Sequence, residues 1–306
     1  MINVSHKSWF KRYVEYPFTG LLGVGIFKLF SKFSFKTNSD IGGFLLRTLG
    51  PLRKEHKLAI NNIKKSFPNL SEEEVEKIVH KMWDNVGRTF FEYTKLDYIV
   101  NSGKDFVKIN NSYLLDEIKE NGKPVIFISA HFGNWEVMRY LLVHILKMSC
   151  AFIFRPPNNP YLADIFMNRE VSKNDDGIEF PAIEKGLNGF KKLMKYMKQD
   201  YSLFALIDQK LSEGIKVNFL NRKVFAVPST AKLAIKLDRE VYMTMMRRAN
   251  KTNFEIDLIK LPKPTITGNE EQDVLNYTQI MNDYLAEEIK KYPEQWFWVH
   301  NRFKNT

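Results

Sequence analysis

Cysteine is nearly missing from this sequence. Cys150 is the only one among 306 residues, so no disulfide can close within the chain and no cysteine pair can hold zinc. That fits a reducing compartment. A second absence concerns the membrane. A spanning helix needs roughly 18 or more apolar residues. The charge-free stretch Tyr16 to Phe27 (YPFTGLLGVGIF) has only 12. No cleavable signal pattern precedes it. There is no repeat and no low-complexity segment. His131, Glu136 and His144 do not follow an H-E-x-x-H spacing, so no metal and no cofactor is expected. Nucleic-acid motifs are also missing, and the lysines are spread out rather than clustered with base-stacking aromatics.

What the sequence does have is positive charge, +11 in formal terms, on an ordinary apolar fraction of 44%. The apolar content is enough for a sizeable core. The charge points to an anionic partner: nucleic acid, anionic lipid or an acidic substrate. Lys7, Lys11 and Arg12 precede the apolar stretch, and Lys28, Lys32 and Lys36 follow it. A short apolar helix between cationic flanks suits the interface of an anionic bilayer. Residues 1–36 are therefore read as a membrane-associating segment, and 37–306 as one domain.

The first hundred residues carry helical patterns. Ser71 to Glu74 is a capping box, followed by Val75, Ile78, Val79, Met82 and Trp83 at helical spacing. From residue 123 the period changes. PVIFIS (124–129), CAFIF (150–154) and SLFALI (202–207) are short apolar runs bounded by polar residues, as are the stretches 241–246 and 254–259. Helical patterns lie between them, at 187–197 and from Pro228 to Leu237, and a last one covers 271–290. This alternation predicts an α/β fold with a mostly parallel central sheet flanked by helices, after a helical N-terminal segment.

Three of the strands end in chemistry. The first leads to His131, the second to Arg155 and the third to Asp208. Ligands of open parallel sheets bind beyond the carboxyl ends of the strands, so a base, a cation and a carboxylate converge there if these strands are neighbours. Cys150 starts its strand and belongs at the opposite edge, as a buried thiol. Glu136 lies five residues after His131. The two can meet only if His131 sits in the turn before a helix and Gly133 lets the backbone fold back. Glu136 would then hold one ring nitrogen and leave the other to take a proton.

SAHFGNWE (129–136) resembles the H-x4-D/E block of the late acyltransferases of lipid A biosynthesis, the lauroyl/myristoyl transferase family within the lysophospholipid acyltransferase superfamily. The resemblance continues along the chain. It takes in Arg53 to Leu70, Phe154-Arg155-Pro156 with Asn158-Asn159-Pro160, Ile207-Asp208-Gln209, Phe219 with Val227 to Thr230, and the tail Trp298-Val299-His300-Asn301-Arg302-Phe303. Lys210 and the segment Phe219-Leu220-Asn221 depart from the family pattern, which leaves acceptor and chain length open.

The resemblance implies an O-acyltransferase. It would move a fatty acyl group from an acyl thioester, acyl-ACP or else acyl-CoA, to a hydroxyl of an acyl chain on a lipid A precursor. His131 would be the general base and Glu136 its orienter. Arg155, Asp208, Asn134 and Gln209 would be substrate or oxyanion contacts. The implied partners are the lipid A precursor, acyl carrier protein and the anionic inner membrane, without nucleic acid. The implied location is the cytoplasmic face of the inner membrane of a Gram-negative bacterium. Two other readings remain: an acyltransferase for a different lysophospholipid or glycolipid, and a non-enzymatic basic membrane-associated nucleic-acid-binding protein. A long acyl chain needs an apolar pocket. The helix after His131 is expected to supply its floor through Met138 or Leu142.

Overall fold

The computed structural model describes residues 9–95, 98, 106–144, 147–154, 157–163, 181–184, 186–211, 213–300 and 302–303. After one π-helical turn over Lys11–Glu15 come four helices: α1 (Tyr16–Phe30), α2 (Phe35–Leu49), α3 (Lys54–Ser66) and α4 (Glu72–Glu92). The capping box read from the sequence is present. The Ser71 hydroxyl accepts from the Glu74 N–H, and the Glu74 carboxylate accepts from the Ser71 N–H. Val75, Val79, Met82 and Val86 then bury one stripe of α4. α2 crosses α4 at Gly42 and Gly87, where a β-carbon on Gly87 would lie 2.0 Å from the carbonyl oxygen of Gly42. Only glycine permits so close a backbone approach.

The sheet follows, with its helices. In chain order these are β1 (Val107–Asn110), α5 (Tyr113–Asn121), β2 (Ile126–Ser129), α6 (Trp135–His144), β3 (Cys150–Phe154), β4 (Ala182–Glu184), α7 (Leu187–Met197) and β5 (Ser202–Leu206). Then come β6 (Ile215–Phe219), β7 (Arg222–Ala226), α8 (Ser229–Lys236), β8 (Val241–Arg248), β9 (Phe254–Lys260) and α9 (Glu270–Lys291). The spatial order is β1-β9-β8-β2-β5-β3-β4, with β6 and β7 as a separate hairpin. β8, β2, β5, β3 and β4 are mutually parallel, as the alternating pattern predicts. β9 runs antiparallel to β8, and β1 is parallel to β9. The reversal has a simple cause. The connection between β8 and β9 is too short for the crossover that a parallel pair requires.

Strand residues alternate between two cores. Ile126, Ile128 and Met243 face the side covered by α4 and α9, and Phe127 and Tyr242 face the side covered by α5 and α6. The sequence reading misses β1, β4, α5 and the β6–β7 hairpin. The hairpin turn is Leu220-Asn221, with φ of +47° and +60°. Leucine is not a turn signal, but its side chain is buried here, and that burial offsets the strained backbone.

Among the described residues no helix is long and apolar enough to cross a membrane. α1 is docked on the domain. The Asn159 amide donates to the Tyr16 carbonyl and to the Thr19 hydroxyl at 2.9 and 3.0 Å, and Gly20 packs against Tyr161. Its other face leaves Phe18, Leu21, Leu22 and Leu29 exposed. A domain boundary at residue 36 falls just inside α2, whose first residue, Phe35, is part of the core.

Candidate active site

β2 and β5 are neighbouring parallel strands, with Ser129 opposite Leu206. Two residues further on, His131 and Asp208 therefore emerge side by side at the carboxyl edge of the sheet. His131 Nδ1 lies 2.9 Å from Asp208 Oδ1, and the His131 backbone N–H donates to Asp208 Oδ2 at 2.9 Å. The Trp296 indole N–H donates to the same Oδ2, also at 2.9 Å. Asp208 is fully buried. Burial alone would push its carboxyl up, but the charge and hydrogen bond of His131, with the charges of His300 and Arg302, outweigh it and hold the group far below the usual carboxylate range. An ionised carboxylate only accepts, so Nδ1 carries the hydrogen, and in the neutral ring Nε2 is the nitrogen with the lone pair. The Gln209 amide nitrogen lies 3.5 Å from that Nε2.

The turn after His131 depends on Gly133. Its φ is +54°, and a β-carbon there would lie 1.8 Å from the Met246 carbonyl oxygen. The end of the chain pairs with this turn. The Phe297 N–H donates to the His131 carbonyl at 3.0 Å, and the Gly133 N–H donates to the Gln295 carbonyl at 2.9 Å.

Several sequence expectations need correction here. The carboxylate on the His131 ring belongs to Asp208, not Glu136. Glu136 sits in the first turn of α6, where its Oε1 accepts from the Trp135 indole N–H at 3.1 Å, on the wall of the cleft. A neighbouring strand brings Asp208 to Nδ1, while five residues of turn and helix carry Glu136 past it. Asp208, expected as a substrate contact, is sealed from the cleft and reaches substrate only through His131. Asn134 is fully buried too. Its side-chain oxygen accepts from the Val137 N–H and its amide donates to Glu92, so it braces the start of α6 rather than meeting a ligand. Gln209 does face the cleft. Arg155 lies outside the described residues. Cys150 is buried at the amino end of β3, opposite the His131 edge, and burial pushes its thiol far up.

The cleft itself has a volume of about 580 Å³, within the range of small-molecule sites. His131, Glu136, Gln209 and Lys210 are among its polar lining residues. Phe152, Phe154 and Phe204 from the strands, with Gly189, Phe190 and Leu193 of α7, make apolar walls. Met138 and Leu142 do not belong to it. They line a separate void of about 10 Å³ with Phe127 and Leu258, because α6 turns its apolar stripe onto the sheet. The cleft is covered by α7 instead.

Three contributors were not singled out from the sequence as site residues. Trp296 is described above. The His300 ring lies edge-on to His131 with centroids 4.4 Å apart. Arg302 is buried and donates to the Ile207 carbonyl at 3.2 Å, and burial pulls its guanidinium down to about 10. All three lie in the aromatic tail. For His300 and Arg302 the available signal was their place in the tail block Trp298 to Phe303, which Trp296 precedes.

A histidine with one nitrogen fixed by a buried carboxylate and the other beside the Gln209 amide, lining a largely apolar cleft, can take a proton from a hydroxyl next to an apolar chain. Comparison with known proteins gives the family. Residues 5–305 match the model of the bacterial lipid A biosynthesis acyltransferases, and the chain belongs to that family of acyltransferases. A lipid A biosynthesis acyltransferase of Haemophilus influenzae (strain ATCC 51907 / DSM 11121 / KW20 / Rd) is 22% identical over 303 residues, covering 96% of this chain and 90% of that protein. A lipid A biosynthesis palmitoleoyltransferase of Escherichia coli (strain K12) is 22% identical over 263 residues, covering 83% of this chain and 80% of that one.

Proposed function

We propose that this protein transfers a fatty acyl group from an acyl thioester, with acyl-ACP as donor, to a hydroxyl on an acyl chain of a lipid A precursor. The observation that carries the reading is the His131–Asp208 pair, whose histidine lines the largely apolar cleft. His131 Nε2 takes the proton as the acceptor hydroxyl attacks the thioester carbonyl. The carbon–oxygen bond forms, the carbon–sulfur bond breaks, and the thiolate leaves with the proton that His131 returns. Asp208 holds the imidazole in register and offsets the charge it gains. General-base help of this kind contributes about 10² to 10⁴ in rate. Gln209, Lys210 and Glu136 stand where the headgroup or the thioester would pass. The test is incubation of purified protein with an acyl-ACP and a lipid A precursor, read by mass spectrometry. One acyl chain should be added per acceptor. No addition to this acceptor, with transfer to a lysophospholipid, would replace this reading by the other acyltransferase one.

The same reading places the protein on the cytoplasmic face of an anionic inner membrane. Exposed Trp9, Phe18, Leu21 and Leu22, among Lys11, Arg12, Lys28 and Lys32, make a surface suited to an acidic lipid interface. The formal charge of +11 also favours an acidic carrier protein and a phosphorylated acceptor. Deleting residues 1–33 keeps Ser34, which caps α2, and Phe35. The shortened protein should stay folded by circular dichroism but no longer sediment with vesicles containing anionic lipid. Undiminished sedimentation would place the membrane contact elsewhere.

A further inference from the structure

We propose that the buried ion pair Glu92–Arg248 is a positioning clamp for the catalytic turn, residues 131–134. The proposal rests on His131 as the base. Arg248, at the end of β8, binds Glu92 with both arms of its fork, at 2.7 and 2.8 Å. The Glu92 side chain is fully buried and that of Arg248 is 7% exposed. Nearly every remaining polar arm of the pair leads to the turn. Glu92 accepts from the Asn134 amide at 2.7 Å. Arg248 Nε donates to the Asn85 side-chain oxygen at 3.0 Å, and the Asn85 amide donates to the Gly133 carbonyl at 3.0 Å. The Thr89 hydroxyl donates to that carbonyl as well. The backbone of Arg248 exchanges two hydrogen bonds with the Gln295 side chain, and the Gln295 carbonyl takes the Gly133 N–H. The turn is thus gripped through its carbonyl, its N–H and its helix-capping side chain.

Stability alone is a poor account of this arrangement. Desolvating two charges offsets most of their attraction, and well-packed apolar residues often do as well. Holding a pliable turn in one place is a better account. Gly133 adopts its φ of +54° without strain, so its own backbone fixes little and the surrounding hydrogen bonds must set where the turn stands. Misplacement of a catalytic group by about 1 Å can lower turnover about 10²-fold. The clamp adds no group that touches substrate. It fixes where the His131 ring stands relative to Asp208 and the cleft.

Arg248 also lines a separate groove of about 440 Å³ that opens to solvent, with Lys81 and Lys251 on its rim. A small cation can enter there, which makes chemical rescue practicable. Arg248→Ala should lower kcat about 30-fold while KM for the thioester stays within about threefold. Millimolar guanidinium should restore turnover several-fold, and methylammonium, which lacks the fork, should not. Turnover is referred to folded protein, measured by circular dichroism with and without guanidinium, so a rescue that only restores folding leaves kcat per folded molecule unchanged. Folded Arg248→Ala with near-normal kcat, or with a loss that guanidinium leaves unchanged, overturns the clamp. If that variant does not fold, Asn85→Ala decides: a kcat about 10-fold lower supports the clamp, and an unchanged kcat overturns it. His131→Ala is assayed in parallel. An inactive His131→Ala beside a fully active Arg248→Ala removes the clamp alone, whereas an active His131→Ala removes the base on which it rests.

Discussion

Replacing Asp208 by asparagine is expected to lower turnover about 10²- to 10⁴-fold, as far as His131→Ala does, with the fold retained. The reason is the tautomer. The Asp208 carboxylate accepts three hydrogens: from His131 Nδ1, from the His131 backbone and from the Trp296 indole. The last two fall on one oxygen. An asparagine would keep its oxygen on those two N–H donors and turn its NH₂ toward Nδ1. The ring must then accept at Nδ1 and carry its hydrogen at Nε2, so the nitrogen that should take the substrate proton is blocked. A parallel assay of Glu136→Gln separates the two carboxylates. Glu136 is on the cleft wall and not on the ring, so its loss should be smaller than that of Asp208→Asn by at least about tenfold. Equal losses, or a larger one at Glu136, would return the orienting role to the residue that local spacing suggests.

That contrast marks what the sequence could and could not convey. The strands around the site were legible because each is a short apolar run ending in a polar residue. The placing of His131 and Asp208 on one edge followed from the α/β alternation alone. The pairing of His131 with Glu136 was read from local spacing, and local spacing cannot see a partner 77 residues away on the next strand. Asn134 looked like a ligand contact because it lies inside the motif. Only the packing of α4 beneath it shows that its amide is already engaged by Glu92. The clamp was hidden for the same reason, since its members come from α4, β8 and the tail. β4 has only three residues, and the β6–β7 hairpin turns on a leucine, so neither carries the usual signals. The helix after His131 was read correctly as apolar. Its apolar stripe could not reveal which face of the sheet it covers, and that is why the acyl pocket was sought there.

With the cleft placed under α7, chain-length selection should respond to Leu193 and in both directions. Leu193 is buried, lines the cleft among its apolar residues, and packs in the core with Ile183. Each buried methylene of the donor is worth about 0.8 kcal/mol, which is about fourfold in preference between chains one carbon apart. Leu193→Trp fills space equivalent to about two methylenes, so the ratio of long-chain to short-chain kcat/KM should fall about 15-fold. Leu193→Ala opens a similar space, and the ratio should rise by a similar factor. Overpacking by the tryptophan costs about 1–3 kcal/mol and the alanine cavity about 2–5 kcal/mol, so each variant alone has a plain stability effect. General destabilisation lowers activity on every donor alike and cannot move the preference in opposite directions. A competition assay with mixed acyl-ACP donors of different length, read by mass spectrometry, measures the ratio within a single tube. The same ratio in wild type and in both variants would mean that the acyl chain does not run along α7.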